Sequence, residues 1–283
     1  MTETAQDYTF LLEKDEASAV DFLAVQTGLP KGRIKDAMNK GAVWLTQKNK
    51  TLRLRRATKS LFKGNKLQLF YDAHLLAKQA EAPALILDNK RYSVWYKPHG
   101  LLSQGSQWGD HCSILRWVEV NLKREAFLVH RLDADAAGLI LIAHDGDTTA
   151  KLSGMFQSRR MNKTYQAWVE GHWDLPEKGK LLDAELDGKT AITRVYGLQQ
   201  SVHNGKPVSL LKVEIETGRK HQIRRHLAAV GHPIIGDRLY GNAGEPLKLL
   251  AWQLEFDCPV TKQHQKIVST QTGLPDLSLN FIS

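Results

Sequence analysis

Leu128-Val-His-Arg-Leu-Asp133, followed by Gly138-Leu-Ile-Leu-Ile-Ala143, decides the architecture of this chain. An apolar lead-in delivers a His-Arg-x-Asp cluster to a turn, and a second apolar run returns to a core. A carboxylate between two buried strands is held rigidly, as a catalytic group needs to be. Taken alone, Asp133 reads first as a turn or helix-capping residue. The segments around it are strand-rich. Leu85–Leu87, Ser93–Tyr96, the stretch around Tyr165, Ala191–Leu198, Val208–Ile215 and Leu249–Phe256 read as strands, with helices over 114–120 and 148–156. That mixture predicts an α+β fold: a mixed, mostly antiparallel sheet with flanking helices.

A second constellation lies ninety residues downstream. Leu211, Val213 and Ile215 alternate with Lys212, Glu214 and Glu216, which predicts a half-buried strand. Thr217-Gly218 makes a turn and a helix start, and Ile223, Leu227 and Val230 then recur at helical spacing up to Gly231. Arg219, Lys220, His221, Arg224 and Arg225 crowd that first helical stretch. Helix N-termini favour anions, so this many cations there suggests a phosphate site or a partner for a carboxylate. A solvated basic helix face is the plainer alternative.

These residues carry a resemblance. His130-Arg-Leu-Asp133 with Gly138-Leu-Ile-Leu, then Lys163-Thr-Tyr-Gln-Ala-Trp-Val-Glu-Gly171, then Thr217-Gly-Arg-Lys-His-Gln-Ile-Arg224 with Gly231-His-Pro-Ile-Ile-Gly-Asp-Arg-Leu-Tyr-Gly241 resemble the RluA-type RNA pseudouridine synthases. The resemblance runs from about Ala84 to about Cys258 and implies a curved sheet with a central active-site cleft. It implies that Asp133 is the catalytic carboxylate of an isomerase that moves uracil from an N1 to a C5 glycosidic link. Attack on sugar, attack on base and proton removal all stay open for it. Tyr165 is implied to stack on the target base and Arg224 to hold Asp133 ionised, since a nearby cation favours the charged form. Arg131 and Arg219, with Lys220, His221 and Gln222, are the expected RNA contacts around the pocket. An isomerisation without redox or phosphate chemistry calls for no cofactor and no metal. One departure stands out: where the family carries a hydroxyl pair before the motif glycine, this chain has Ala136-Ala137, and Asp135 lies two residues from Asp133. Asp135 is expected to point outward.

Residues 1–75 read as a separate unit, 76–83 as a linker and 84–283 as the catalytic domain. At the front, a helix ends at Thr27-Gly28-Leu29-Pro30. A second helix over 31–40 buries Ile34, Ala37 and Met38, and three strands follow. Two helices followed by a small sheet resemble the S4 RNA-binding domain, which implies RNA contacts at Lys31, Arg33 and Lys35. Arg53, Arg55, Arg56, Lys59 and Lys63 add to the basic character. Removal of this unit is expected to weaken RNA binding and leave the chemistry intact.

Composition agrees with a polyanionic partner: the net charge is +9 over 283 residues. Structured RNA, ribosomal or transfer, is the expected partner, with no obligate protein partner and a monomeric state. No apolar run approaches the roughly 20 residues of a membrane helix, and the first residues lack the features of a signal peptide. Cys112 and Cys258 have no pairing pattern, and none of the 11 histidines sits in a metal-binding spacing. A cytoplasmic protein is expected. Two rivals remain. One is a non-catalytic RNA-binding protein that keeps the fold, which Ala136-Ala137 favours and Asp133 opposes. The other is a phosphate-handling enzyme built on Arg219–Arg225, which lacks a Gly-x-x-x-x-Gly-Lys loop.

Overall fold

The computed structural model describes residues 5–269. They form two compact units. One runs up to Ala80 and takes in Gln104–Leu122; the other comprises Glu81–Ser103 and the described residues from Lys123 onward.

The first unit opens on a strand, β1 (Gln6–Leu11), before its helices α1 (Ala19–Thr27) and α2 (Lys31–Asn39). The expectation of helices followed by a sheet is corrected here. Tyr8 and Phe10 alternate inward along β1, and Phe10 meets the Phe22 ring edge-on at 5.5 Å. Next come β2 (Val43–Gln47), β3 (Lys50–Arg53), β4 (Lys66–Tyr71) and a short helix, α3 (Ala73–Ala77), which runs into the stretch expected to be the linker. The four strands make an antiparallel sheet in the order β1-β4-β2-β3. Ser18 caps α1 by accepting the Asp21 N–H, and Gly28 ends it with φ 71°. Leu23, Ile34, Met38, Leu67 and Leu69 fill the core between helices and sheet.

The inserted segment ends in α4 (Ile114–Leu122), which buries Ile114 and Val118. Asp110 ties this segment to the rest of its unit. It pairs with Arg53 at 3.0 Å and Arg55 at 2.5 Å, and its N–H reaches Lys40 O. The Trp44 indole donates to Gln107 O at 3.0 Å. Two arginines of the basic cluster expected from the sequence therefore share one carboxylate of their own unit.

The second unit holds one ten-stranded sheet. Its strands are β5 (Ala84–Asp88), β6 (Tyr92–Lys97), β7 (Phe127–Leu128), β8 (Ala137–Ala143), β9 (Asn162–Glu170), β10 (Lys180–Leu182), β11 (Thr193–His203), β12 (Lys206–Ile215), β13 (Leu249–Asp257) and β14 (His264–Val268). The order is β10-β11-β12-β9-β13-β8-β6-β5, with β14 beside β13 and β7 beside β8. Every pairing is antiparallel except β8 with β13. All seven residues of β8 are buried, as an unbroken apolar run in a central strand requires. Two helices accompany the sheet: α5 (Gly146–Gln157), capped by Asp145, and α6 (Gln222–Ala229). The fold is α+β, with a large mixed sheet in one unit and a small antiparallel sheet in the other.

Candidate active site

Three pieces of the second unit converge on one cleft: the turn before β8, the start of β9, and the loop that enters α6. The sheet register explains why. Ala251 of β13 pairs with Gly138 of β8 on one side and with Tyr165 of β9 on the other. Gly138 has φ 116°, and a Cβ there would overlap the backbone of Ala251. The motif glycine is thus what lets β8 lie against β13, and this brings the Asp133 turn beside Tyr165.

The turn is braced from a segment that the sequence does not mark as functional. Ser103 Oγ donates to Leu132 O at 2.7 Å and accepts the Leu132 N–H at 3.0 Å. The buried Lys97 ammonium donates to the carbonyls of Pro98, Leu101 and Ala134. Burial pulls the Lys97 pKa down to about 8, against the opposing charges of Asp133 and Asp135. The bracing that Ala136 and Ala137 cannot supply comes from this stretch, and both alanines are packed tight at 2% and 1% exposure. Asp135 turns to Arg238, 3.1 Å away.

Arg224 is almost fully buried and bidentate to Asp237, with both contacts 2.7 Å. Its third nitrogen lies 3.5 Å from Asp133 Oδ2. Burial disfavours charge on Asp237, but the Arg224 fork and the Leu239 and Tyr240 N–H groups outweigh it and hold the carboxyl below its ordinary range. Asp237 lies inside the third motif, yet nothing in the sequence singles it out as the anchor of the cation. Tyr165 is buried, and burial, followed by the Asp133 charge, pushes its phenol well above the ordinary tyrosine range. It is a neutral phenol near neutrality, suited to stacking and hydrogen bonding rather than to serving as a standing phenolate.

The loop into α6 differs from expectation. The helix starts at Gln222, not at Thr217-Gly218, and His221 caps it in the left-handed region at φ 53°. Arg219, Lys220 and His221 therefore lie on a loop. Gln222 is buried and holds that loop: Oε1 accepts from Thr217 Oγ1 and the Arg219 N–H, while Nε2 donates to Ile192 O and Thr193 Oγ1. His221 stands 2.9 Å from the Tyr240 hydroxyl and 3.8 Å from Asp133. Burial lowers its pKa, with Asp133 opposing. Arg219 Nε donates to Thr190 O, and Lys220 and Arg131 are exposed.

The cleft has a volume of about 420 Å³, and Asp133, Arg131, Tyr165, Arg219, His221 and Arg224 all line it. Lys31, Arg33 and Lys35 belong to α2 in the other unit, where Lys31 pairs with Asp21 at 2.6 Å. His130 serves the fold: its Nε2 accepts the Leu141 N–H at 3.0 Å, and its ring stacks on Phe156 at 4.4 Å. Among the described residues, no set of three His, Cys, Asp or Glu side chains gathers as metal ligands. Nor is any described helix long and apolar enough to cross a membrane.

The chain is similar to several known proteins. The family model for RNA pseudouridylate synthase matches residues 91–229. A dual-specificity RNA pseudouridine synthase RluA of Vibrio vulnificus is 33% identical over 195 residues, covering 62% of this chain and 78% of that protein. An uncharacterized RNA pseudouridine synthase of Aquifex aeolicus is 28% identical over 268 residues, covering 86% and 83%. A ribosomal large subunit pseudouridine synthase D of Nitrosomonas europaea is 31% identical over 230 residues, and this chain spans 64% of its length. Human RNA pseudouridylate synthase domain containing 1 shares the fold, with a TM-score of 0.59 and 20% identity over 70% of this chain and 85% of that one.

Proposed function

The chain belongs to the RNA pseudouridine synthase family, and on that premise we propose that it isomerises uridine to pseudouridine in a structured RNA, with Asp133 as the catalytic carboxylate. The observation that carries this reading is the triple arrangement in one cleft: Asp133 in a braced turn, Arg224 at 3.5 Å from it, and Arg224 fixed in turn by the buried Asp237.

The chemistry needs the N1–C1′ bond broken, the uracil turned, and a C5–C1′ bond made. The C5 proton leaves and N1 regains one, so the reaction is balanced without a cofactor. A carboxylate acts here only when ionised, and Arg224, 3.5 Å from Asp133 Oδ2, holds its orientation. Tyr165, a neutral phenol across the cleft, gives the base a stacking surface and a hydroxyl for hydrogen bonding. The target uridine has to leave its stack to reach Asp133, at a cost of a few kcal/mol. Arg131, Arg219 and Lys220, on the cleft wall, would offset part of this cost by neutralising phosphates.

Ribosomal RNA is the favoured substrate, with α2 of the first unit, through Lys31, Arg33 and Lys35, as an S4-like contact surface. The protein would work as a cytoplasmic monomer. The test is RNA carrying tritium at uridine C5. Wild-type protein should release tritium to water, and Asp133→Asn should release none while still binding the RNA. Release by Asp133→Asn at the wild-type rate would remove Asp133 from the chemistry.

A further inference from the structure

A second groove opens beside the Asp133 cleft and shares Arg131, Tyr165, Gly218 and Arg219 with it. It has a volume of about 560 Å³ and is walled further by Phe156, Arg159 and Lys163. We propose that this groove is a phosphodiester subsite, in which Lys163 and Arg159 grip the backbone of the nucleotide adjoining the target uridine. The inference rests on the reading of the main cleft as an RNA site and extends it by one nucleotide.

The distribution of charge points there. Elsewhere on this unit four surface arginines are matched by carboxylates of the same chain, Arg91 by Asp145 and Asp147, Arg124 by Asp88, Arg225 by Asp187 and Arg238 by Asp135, while Arg160, outside the groove, donates to Ser158 Oγ. Around the groove that matching stops. Lys163 forms no ion pair among the described residues, and its ammonium has only the Phe156 ring, 5.8 Å away. Burial pulls its pKa down, so it is held partly desolvated with no carboxylate in return. Arg131 likewise makes no ion pair among the described residues. Glu216 is the one acidic residue in the groove wall, and it stands 3.9 Å from a half-exposed Arg159. Arg131, Arg159, Lys163 and Arg219 against a single carboxylate, in a concave wall continuous with the reaction cleft, suit an external anion that arrives with the substrate. Phe156 adds an apolar surface for the sugar edge, and His130 stacked behind it keeps that ring in place.

The test is the salt dependence of binding of a fluorescent eight-residue oligouridylate, read by anisotropy. Each phosphate that a protein cation neutralises on a single strand adds about 0.7 to the slope of log Kd against log salt. The Lys163→Gln, Arg159→Gln double variant is expected to lower the slope by about 0.7, the share of the one phosphate that the two cations grip, and Lys163→Arg is expected to leave it unchanged. Because Lys163 is partly buried, an independent arm keeps the wild-type protein and replaces single linkages of the oligonucleotide with neutral methylphosphonates. One linkage should then reproduce the drop in slope. Slopes unchanged in the double variant and at every linkage would overturn the subsite. The two readings fail separately: absence of tritium release from any RNA counts against the isomerase, and unchanged slopes with normal release count against the subsite alone.

Discussion

At the residue scale, the candidate site is one half-buried carboxylate whose surroundings are fixed by buried partners. Asp133, Tyr165 and Arg224 are legible as candidates through the family resemblance of the motifs that hold them, and the fold brings the three to one cleft. Asp237, Ser103 and Lys97 are not legible, since their roles depend on pairings that only the fold creates. Ser103 meets Leu132 across 29 positions of sequence, and Lys97 meets Ala134 across 37. Nothing near either residue signals the partner. His130 adds a test by pH. Burial, reinforced by Lys163, holds its pKa down to about 3 from an ordinary 6.5. Between those values the unfolded imidazole takes up a proton that the folded ring refuses. Its effect on stability is therefore nil above pH 6.5 and increasingly unfavourable as the pH falls toward 3, by at most about 1.4 kcal/mol per unit. Protonation would also cost the Leu141 N–H its acceptor. From pH 7 to pH 4 the wild-type Tm should fall more than that of His130→Gln; parallel profiles would show that His130 does not contribute.

At the element scale, long or strongly patterned segments were readable and half-exposed or short ones were not. The fully apolar β8, the alternating β12 and the two front helices fall where their periodicities put them. β1 carries no clear signal because its inward residues are only half-buried, and β10 none because three residues carry no period. α6 starts five residues after Thr217, because a loop held by the buried Gln222 imitates the first helical turn. The joint that matters most is β8 against β13 at Gly138. Gly138→Ala would combine a left-handed φ with backbone overlap at Ala251, a cost of roughly 2–6 kcal/mol. The denaturant midpoint should drop accordingly, and an unchanged midpoint would mean that the two strands can separate without penalty.

At the scale of the whole molecule, the chain does not divide at a single linker over 76–83. Gln104–Leu122 leaves the second unit's sequence between β6 and β7 and completes the first unit, through Asp110 with Arg53 and Arg55, and through Trp44. The sequence offered no sign of this, because a short helix between two strands reads as a local crossover. It revises the expectation that the front can be removed without loss to the chemistry. Deleting residues 1–75 strips that segment of its partners, so the truncated chain should show a lower Tm and reduced turnover even on a minimal hairpin RNA. Wild-type Tm and turnover after truncation would mean that Gln104–Leu122 folds without them.

The central claim is that Asp133 isomerises uridines in RNA, and the most direct measurement is pseudouridine mapping of total RNA from cells lacking this protein, complemented with the wild-type chain or with Asp133→Ala. The expected result is that one or a few pseudouridines disappear and return only with the wild-type chain. No change at any site, or full restoration by Asp133→Ala, would contradict the claim.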